Sequence, residues 1–314
     1  MKLSLDEFDP ELCLFCGQVF RFRRTDFGFE GVDGSNFYRI GFDGSLLPPL
    51  IEPFLQCDLT LKGSEQQSLG LSEAIPQVHE PNPERPEGVP QSPDPAYASL
   101  LRLEVDYDEL WTRLAKLGPE LLPFRRKGHR MLRPSDPIET FFCFLCSSNN
   151  NIKRITQMID KLASFGEPFP GSDFRRFPSA QTLAGVGEPR LREMGFGYRA
   201  RSISRAATKL ANDPNWFEKL KAASFEEAIG QLRELDGVGP KLADCIALFA
   251  LDHGEAVPVD THLWQAFCRV YRPDWATVTL TEKRMRETGD FMRDRFGNLA
   301  GFAHHVLFVD NLRR

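Results

Sequence analysis

Leu235-Asp236-Gly237-Val238-Gly239-Pro240-Lys241-Leu242-Ala243-Asp244-Cys245 is the stretch on which the fold turns. Apolar residues recur at three- and four-residue spacing on both sides of it, over Phe225–Leu235 and Lys241–Leu251. One helix therefore stops at Leu235 and another starts after the glycines. Gly237 and Gly239 permit a tight turn through backbone angles that other residues resist. Pro240 suits the first position of a helix, where its missing N–H was unpaired anyway. Backbone N–H groups at such a turn and helix start form an anion site that fits a phosphate. The plain alternative is a glycine-rich turn between two helices with no ligand.

Read as a helix-hairpin-helix at 225–251, this segment grips a nucleic-acid backbone phosphate through the turn of Gly237 and Gly239 without reading sequence. Lys241 lies in the first turn of the new helix. The positive helix end and partial burial are expected to lower its pKa and favour the neutral amine, which is a nucleophile. Lys241 and Cys245 are four apart and leave one face of the helix. The alternative for Lys241 is a simple phosphate contact. Nineteen residues on, Val257-Pro258-Val259-Asp260-Thr261-His262-Leu263-Trp264 places Asp260 before a helical run, Thr261–Tyr271. Asp260 taken alone is the N-cap of that run. Taken with Lys241, it pairs a nucleophile with a carboxylate.

Outward from the hairpin, the chain is helical from Leu100 onward, with further periodic runs at Ile138–Cys146, Ile152–Phe165, Leu191–Asn212 and Leu280–Phe296. The first sixty residues read as β, over Leu12–Phe22, Phe27–Val32, Phe37–Phe42 and Cys57–Leu61. Asp33-Gly34-Ser35 and Asp43-Gly44-Ser45 between them are hairpin signals. Residues 64–95 hold seven prolines and few apolar side chains, and read as a flexible acidic loop. The expected fold class is α+β, an N-terminal antiparallel sheet domain (1–105) packed on an all-α body (106–314).

Composition bounds the function. With 41% hydrophobic and 26% charged residues, the 314-residue chain can bury a sizeable core. Its longest apolar runs are about seven residues, such as Cys245–Leu251, too short for a membrane helix. Met1 opens an acidic-polar segment with no secretory pattern. Seven scattered cysteines suggest a reducing compartment. Cys13/Cys16 and Cys143/Cys146 have C-x-x-C spacing but lie amid Leu and Phe, so buried thiols are expected rather than zinc. The net charge of −5 argues against a general polyanion binder. Residues 64–95 carry six acidic groups against one basic, which leaves 38 of each sign elsewhere. A nucleic-acid surface must then be a local patch. Arg201, Arg205 and Lys209 recur every four residues, and with Arg125, Arg126, Lys127 and Arg130 are candidates for it.

Six stretches in order carry a resemblance: Gly17-Gln18-Val19-Phe20-Arg21-Phe22, Cys146-Ser147-Ser148-Asn149-Asn150-Asn151-Ile152, Gly197-Tyr198-Arg199-Ala200-Arg201, Gly237 to Cys245, Val257 to Trp264, and Ala300-Gly301-Phe302-Ala303-His304-His305-Val306-Leu307-Phe308. Together they resemble the helix-hairpin-helix/Gly-Pro-Asp superfamily of DNA glycosylases, and within it the eukaryotic-type 8-oxoguanine DNA glycosylase/lyases. The resemblance covers nearly the whole chain apart from the acidic loop.

That resemblance implies a bifunctional enzyme of base excision repair that flips an oxidised purine, chiefly 8-oxoguanine opposite cytosine, out of double-stranded DNA. Lys241 would attack C1′ and form a Schiff base whose elimination cuts the strand, and Asp260 would stabilise the oxocarbenium-like charge. The base pocket would comprise Gly17, Cys245, Phe249, Pro258, His304 and Phe308. Guanine N7 accepts a hydrogen bond, whereas N7 of 8-oxoguanine carries a hydrogen and donates, so a Gly17 carbonyl aimed there separates the two. Cys245 and Phe308 would sandwich the base, although each taken alone reads as core packing. Asn149 would fill the hole left by the flipped base, Arg154 and Arg199 would bond the orphaned cytosine, Tyr198 would wedge the stack, and His262 would touch a phosphate. Without the family these are a capping Asn run, solvated arginines and a packed aromatic. Carbonyls of Arg233, Leu235 and Val238 would hold a structural cation.

His304 departs from the family, which carries glutamine there. A histidine offers one donor and one acceptor in ring geometry, so formamidopyrimidine or other oxidised purines are expected to be handled comparably, and a protonated ring would alter the pH profile. No cysteine follows Cys268, so the four C-terminal cysteines of the iron–sulfur branches are absent. No cofactor is expected to be required, nor a membrane partner, and the chain is expected to be a monomer. An intracellular site is expected, the nucleus for a eukaryote and the cytoplasm or nucleoid for a bacterium. The competing readings are a glycosylase with shifted base preference and a non-catalytic helix-hairpin-helix DNA-binding protein. Lys241 together with Asp260 disfavours the latter.

Overall fold

The computed structural model describes residues 3–47 and 94–312. Asp9-Pro10 starts a short helix, α1 (Pro10–Leu14), with Leu12 N–H donating to Asp9 Oδ1 at 3.0 Å. The expected strand over Leu12–Phe22 is therefore corrected. An aspartate cap followed by proline at the first helical position outweighs the β propensity of the Leu-Cys-Phe run. The sheet follows as β1 (Phe22–Thr25), β2 (Gly28–Asp33) and β3 (Asn36–Gly41), antiparallel in the order β1-β2-β3. Gly31 pairs with Phe22 on one side and Tyr38 on the other. Gly34, at φ +57°, takes the first loop position between the paired Asp33 and Asn36, as a two-residue hairpin requires. The strand expected at Cys57–Leu61 and the loop expected from Ser64 to Pro93 lie outside the described residues.

Helices then follow without further strands among the described residues. They are α2 (Pro95–Leu100), α3 (Tyr107–Leu117), α4 (Pro137–Ser147), α5 (Ile152–Ala163), α6 (Ala180–Glu193, kinked at Gly187), α7 (Arg199–Asn212), α8 (Trp216–Ala222), α9 (Phe225–Arg233), α10 (Pro240–Ala250), α11 (Thr261–Tyr271), α12 (Glu282–Phe296) and α13 (Ala300–Leu312). Two expectations are corrected. Asp94 and Pro95 belong to α2 rather than to the acidic loop, because Asp94 Oδ1 accepts the N–H groups of Ala96 and Tyr97 at 3.0 Å each. The single run Leu191–Asn212 is two helices, parted where Gly195 (φ +88°) and Gly197 (φ +60°) take left-handed angles that no helix continues through.

Two apolar clusters organise the molecule. One gathers Phe8, Leu12, Phe29, Tyr38 and Tyr97 around the sheet, and takes in Leu132 and Val309 from the helical part. The other fills the helical body, where α10 packs on α4 and α9, and α11 packs on α13. Helix α10 buries Leu242, Ala243, Cys245, Ile246, Ala247, Leu248 and Phe249, nearly its whole circumference. Full burial of a Leu, Ile or Phe contributes about 1.5–3 kcal/mol each, so the rod that carries Lys241 is firmly seated. A buried ion pair, Arg21 to Glu139 at 3.2 Å, ties the sheet to α4. Burial pushes the Glu139 carboxyl up to about 8, against the pull of Arg21.

Candidate active site

The hairpin turn leaves Gly237 (φ +85°) exposed, with its α-carbon against Ser202 of α7. A β-carbon there would meet Ser202 Oγ at 2.6 Å. Gly239 caps α10 without any side-chain hydrogen bond, and a β-carbon there would meet nothing within 4 Å. The N-terminal donors of α10 thus face open space where a phosphate can reach them. The Leu235 carbonyl accepts the Val238 N–H at 3.1 Å. That bond leaves a second lone pair, and neutral carbonyl oxygens such as those of Arg233, Leu235 and Val238 suit a hard cation.

One cavity of about 40 Å³ is walled by Cys16, Gly17, Phe144, Lys241, Cys245, Phe249, Pro258, Asp260, His304, His305 and Phe308. Both expected catalytic residues and all six expected base-pocket residues therefore share one space, although they come from the α1–β1 loop, α10, the α10–α11 loop and α13. Gly17 has φ +86° and no atom within 4 Å of a would-be β-carbon, so its peptide borders open volume. Phe249 stacks on Phe144, ring centroids 5.4 Å apart, and Phe308 stacks on His304 at 5.8 Å.

Asp260 has two tasks. Its Oδ1 accepts the N–H groups of His262 and Leu263 at 3.0 Å each, the N-cap of α11. Its charge also acts on Lys241. The expectation of a neutral Lys241 is reversed in the free protein. The sulfur of Cys245 and then the carboxylate of Asp260 hold the ammonium above the ordinary lysine range, outweighing the burial that acts the other way. Burial in turn pushes the Cys245 thiol up to about 11, against the pull of Lys241.

His304 is buried, and neither ring nitrogen makes a hydrogen bond of normal geometry. Burial lowers its pKa to about 4, although Asp260 and the carbonyls of Gly301 and Pro258 pull it up. His304 is thus neutral at pH 7. The sign of the linkage follows. The unfolded chain takes up this proton near 6.5, and the folded one refuses it until about 4. Stability is present above 6.5 and lost as pH falls toward 4, a term of at most about 3 kcal/mol. Melting temperature should fall across that window, and His304→Gln should flatten the fall. Identical slopes for the two proteins would contradict the assignment.

A second cluster borders the end of α4, the helix that carries Phe144 into the cavity. Asn149, exposed at the tip, is left-handed (φ +47°). Tyr198 is 60% exposed and donates its hydroxyl to the Ser148 carbonyl at 3.2 Å. Arg199 is buried, bonds the carbonyls of Ser148 and Asn149, and lies over the Tyr198 ring. Arg154 is exposed on α5. His262 is exposed, edge-on to Phe308 at 5.8 Å.

The wider basic patch is corrected in part. Arg130 is interior, donating to the carbonyls of Glu7, Leu101 and Arg102. Arg125, Arg126 and Lys127 pair with Asp108, Asp310 and Asp6. Arg201 and Arg205 share Asp236 at 3.3 and 3.7 Å. Three wall residues, Cys16, Phe144 and His305, were missed by the sequence reading. Cys16 and His305 carry one signal, adjacency to Gly17 and to His304, and Phe144 carries none. Cys13, Cys16, Cys143 and Cys146 are all buried, and no group of three or more metal-ligating side chains occurs among the described residues.

Residues 142–290 match the model of the HhH-GPD superfamily base excision DNA repair proteins. The chain is 40% identical over 232 residues to N-glycosylase/DNA lyase OGG1 of Arabidopsis thaliana, covering 71% of this chain and 63% of that protein. It is 34% identical over 233 residues to the N-glycosylase/DNA lyase of Saccharomyces cerevisiae, covering 64% and 61%. The match thus spans just under two thirds of either relative's length. Among solved structures, the Clostridium acetobutylicum 8-oxoguanine glycosylase/lyase superposes with a TM-score of 0.73 at 25% identity, over 98% of this chain and 92% of that one. Its crystals hold double-stranded DNA with cytosine opposite 8-oxoguanine. Residues 142–290 thus form a domain of the HhH-GPD superfamily of base excision DNA repair proteins, and the likeness to N-glycosylase/DNA lyases extends beyond that domain.

Proposed function

We propose that the protein is a bifunctional DNA glycosylase and abasic-site lyase that removes oxidised purines, chiefly 8-oxoguanine opposite cytosine, from double-stranded DNA inside the cell, acting as a monomer. The observation that carries this reading is the single cavity in which Lys241 and Asp260 meet the Gly17 wall and the apolar faces of Cys245, Phe249 and Phe308. A flat base enters such a slot by parting its walls, and only a nucleotide turned out of the duplex can reach it.

The α10 N-terminus and the N–H groups around Gly237 and Gly239 hold the backbone phosphate. Carbonyls of Arg233, Leu235 and Val238 hold a cation at that turn. Asn149, Tyr198, Arg154 and Arg199 engage the gap and the opposite cytosine. Base insertion strips water from Lys241, the effect that favours its neutral form. The amine gives its proton to the departing water, and Asp260 stays ionised beside it. The Lys241 lone pair then bonds C1′, and the base leaves with the electrons of the N-glycosidic bond. Asp260 stabilises the positive charge that develops on the sugar. The resulting Schiff base makes the 2′ hydrogen acidic, and elimination breaks the 3′ C–O bond.

His304 favours a second reading within the same chemistry. A neutral imidazole offers one donor and one acceptor, fewer polar groups than a glutamine amide, and neither ring nitrogen of His304 has a hydrogen-bond partner of normal geometry. Single-turnover excision should rank 8-oxoguanine first, with formamidopyrimidine close behind, and His304→Gln should widen the gap. Fastest release of an alkylpurine would overturn the proposed substrate, and an unaltered ranking would remove His304 from base recognition.

A further inference from the structure

Gly17 must present its carbonyl at a fixed place if a single hydrogen bond is to separate two purines. Yet none of Gly17 to Phe20 makes a backbone–backbone hydrogen bond among the described residues. A glycine at φ +86° with open space beside it has many alternatives. What holds this loop is a chain of buried side chains on both sides of the glycine.

On the far side, Gln18 is buried. Its Nε2 donates to the Arg130 carbonyl at 3.0 Å and is shared between the Cys13 carbonyl and Cys16 Sγ, each at 3.3 Å. Its Oε1 accepts the Leu132 N–H at 2.7 Å. On the near side, Cys16 Sγ lies 3.7 Å from His305 Nε2, and His305 Nδ1 lies 2.8 Å from His129 Nε2. His129 stacks in turn on Phe302 at 5.9 Å. A neutral imidazole has one donor and one acceptor. If His129 donates, His305 carries its hydrogen toward the sulfur; if the thiol donates, both rings take the other tautomer. Either arrangement ties α13 to the peptide that precedes Gly17. The same helix turn carries His304 into the cavity.

We propose that His305, backed by His129 and acting through Cys16, is a positioning residue that sets the Gly17 carbonyl for the N7 hydrogen of an oxidised purine. It touches no reacting atom; it orients the wall that reads the base. This rests on the substrate reading above and assigns the means by which that wall is held.

The test uses the full chain carrying Lys241→Gln, so that nothing turns over, and measures the ratio of dissociation constants for guanine:cytosine and 8-oxoguanine:cytosine duplexes. A general loss of folded protein weakens both alike and cancels in the ratio. His305→Phe keeps the ring stacking but removes both nitrogens, and should lower the ratio about tenfold, the scale of one buried hydrogen bond. Cys16→Ala should do the same and carries the test if His305→Phe fails to fold, whereas Cys16→Ser should restore most of the ratio. A ratio unmoved by either removal overturns the positioning role. A parent protein with no preference for the 8-oxoguanine duplex overturns the substrate reading instead.

Discussion

Lys241→Gln should abolish borohydride trapping on an 8-oxoguanine duplex and slow base release by more than about a thousandfold, while duplex binding persists. Glutamine approximates the reach of lysine but has no nucleophilic lone pair, so the covalent step is lost and the phosphate contacts of the hairpin remain. The charged resting state adds a second expectation. Because Cys245 and Asp260 hold the ammonium above its ordinary range, wild-type trapping on an abasic duplex should quicken from neutral into mildly alkaline pH. A covalent adduct formed by Lys241→Gln would remove Lys241 as the nucleophile. A flat pH profile would contradict the charged resting amine.

Asp260→Asn should slow base release by about 10²–10³-fold with little change in folding. Asparagine caps helices as well as aspartate does, so the bonds to the N–H groups of His262 and Leu263 can persist. The substitution therefore isolates the charge from the cap. Losing the carboxylate also removes one of the groups that hold Lys241 protonated, so trapping on a preformed abasic site should suffer less than base release. Single-turnover rates on the two duplexes give the comparison. Equal losses would mean that Asp260 acts on the lysine alone, and an unchanged rate of base release would deny it any part in the chemistry.

Much of the site was legible because its parts lie in short local patterns. The Gly237–Lys241 turn, the Asp260 cap and the Asp33–Asn36 hairpin depend on neighbours within a few residues, where turn and cap chemistry decides. Local patterns also misled. The Leu12–Phe22 run has strand composition, yet Asp9-Pro10 starts a helix in it. The repeat of apolar residues through Leu191–Asn212 hides two left-handed glycines. Helix end and burial alone point to a neutral Lys241, whereas the groups that hold it charged, Cys245 and Asp260, reach its amine only in the folded site. Arg130 looks like part of a basic surface, but its partners are three carbonyls from two distant segments, Glu7 and Leu101-Arg102.

The sequence by itself determined the helical body, the hairpin and its lysine, and the order of motifs that marks the family, because each is written in residues close together along the chain. Only the tertiary structure decided that Gly17, Lys241, Asp260 and His304 wall one cavity, that Lys241 rests charged and His304 neutral, and that His129, His305 and Cys16 stand behind the glycine. Burial and through-space contacts set those states, and they arise between segments up to 289 residues apart, as in the Cys16–His305 pair.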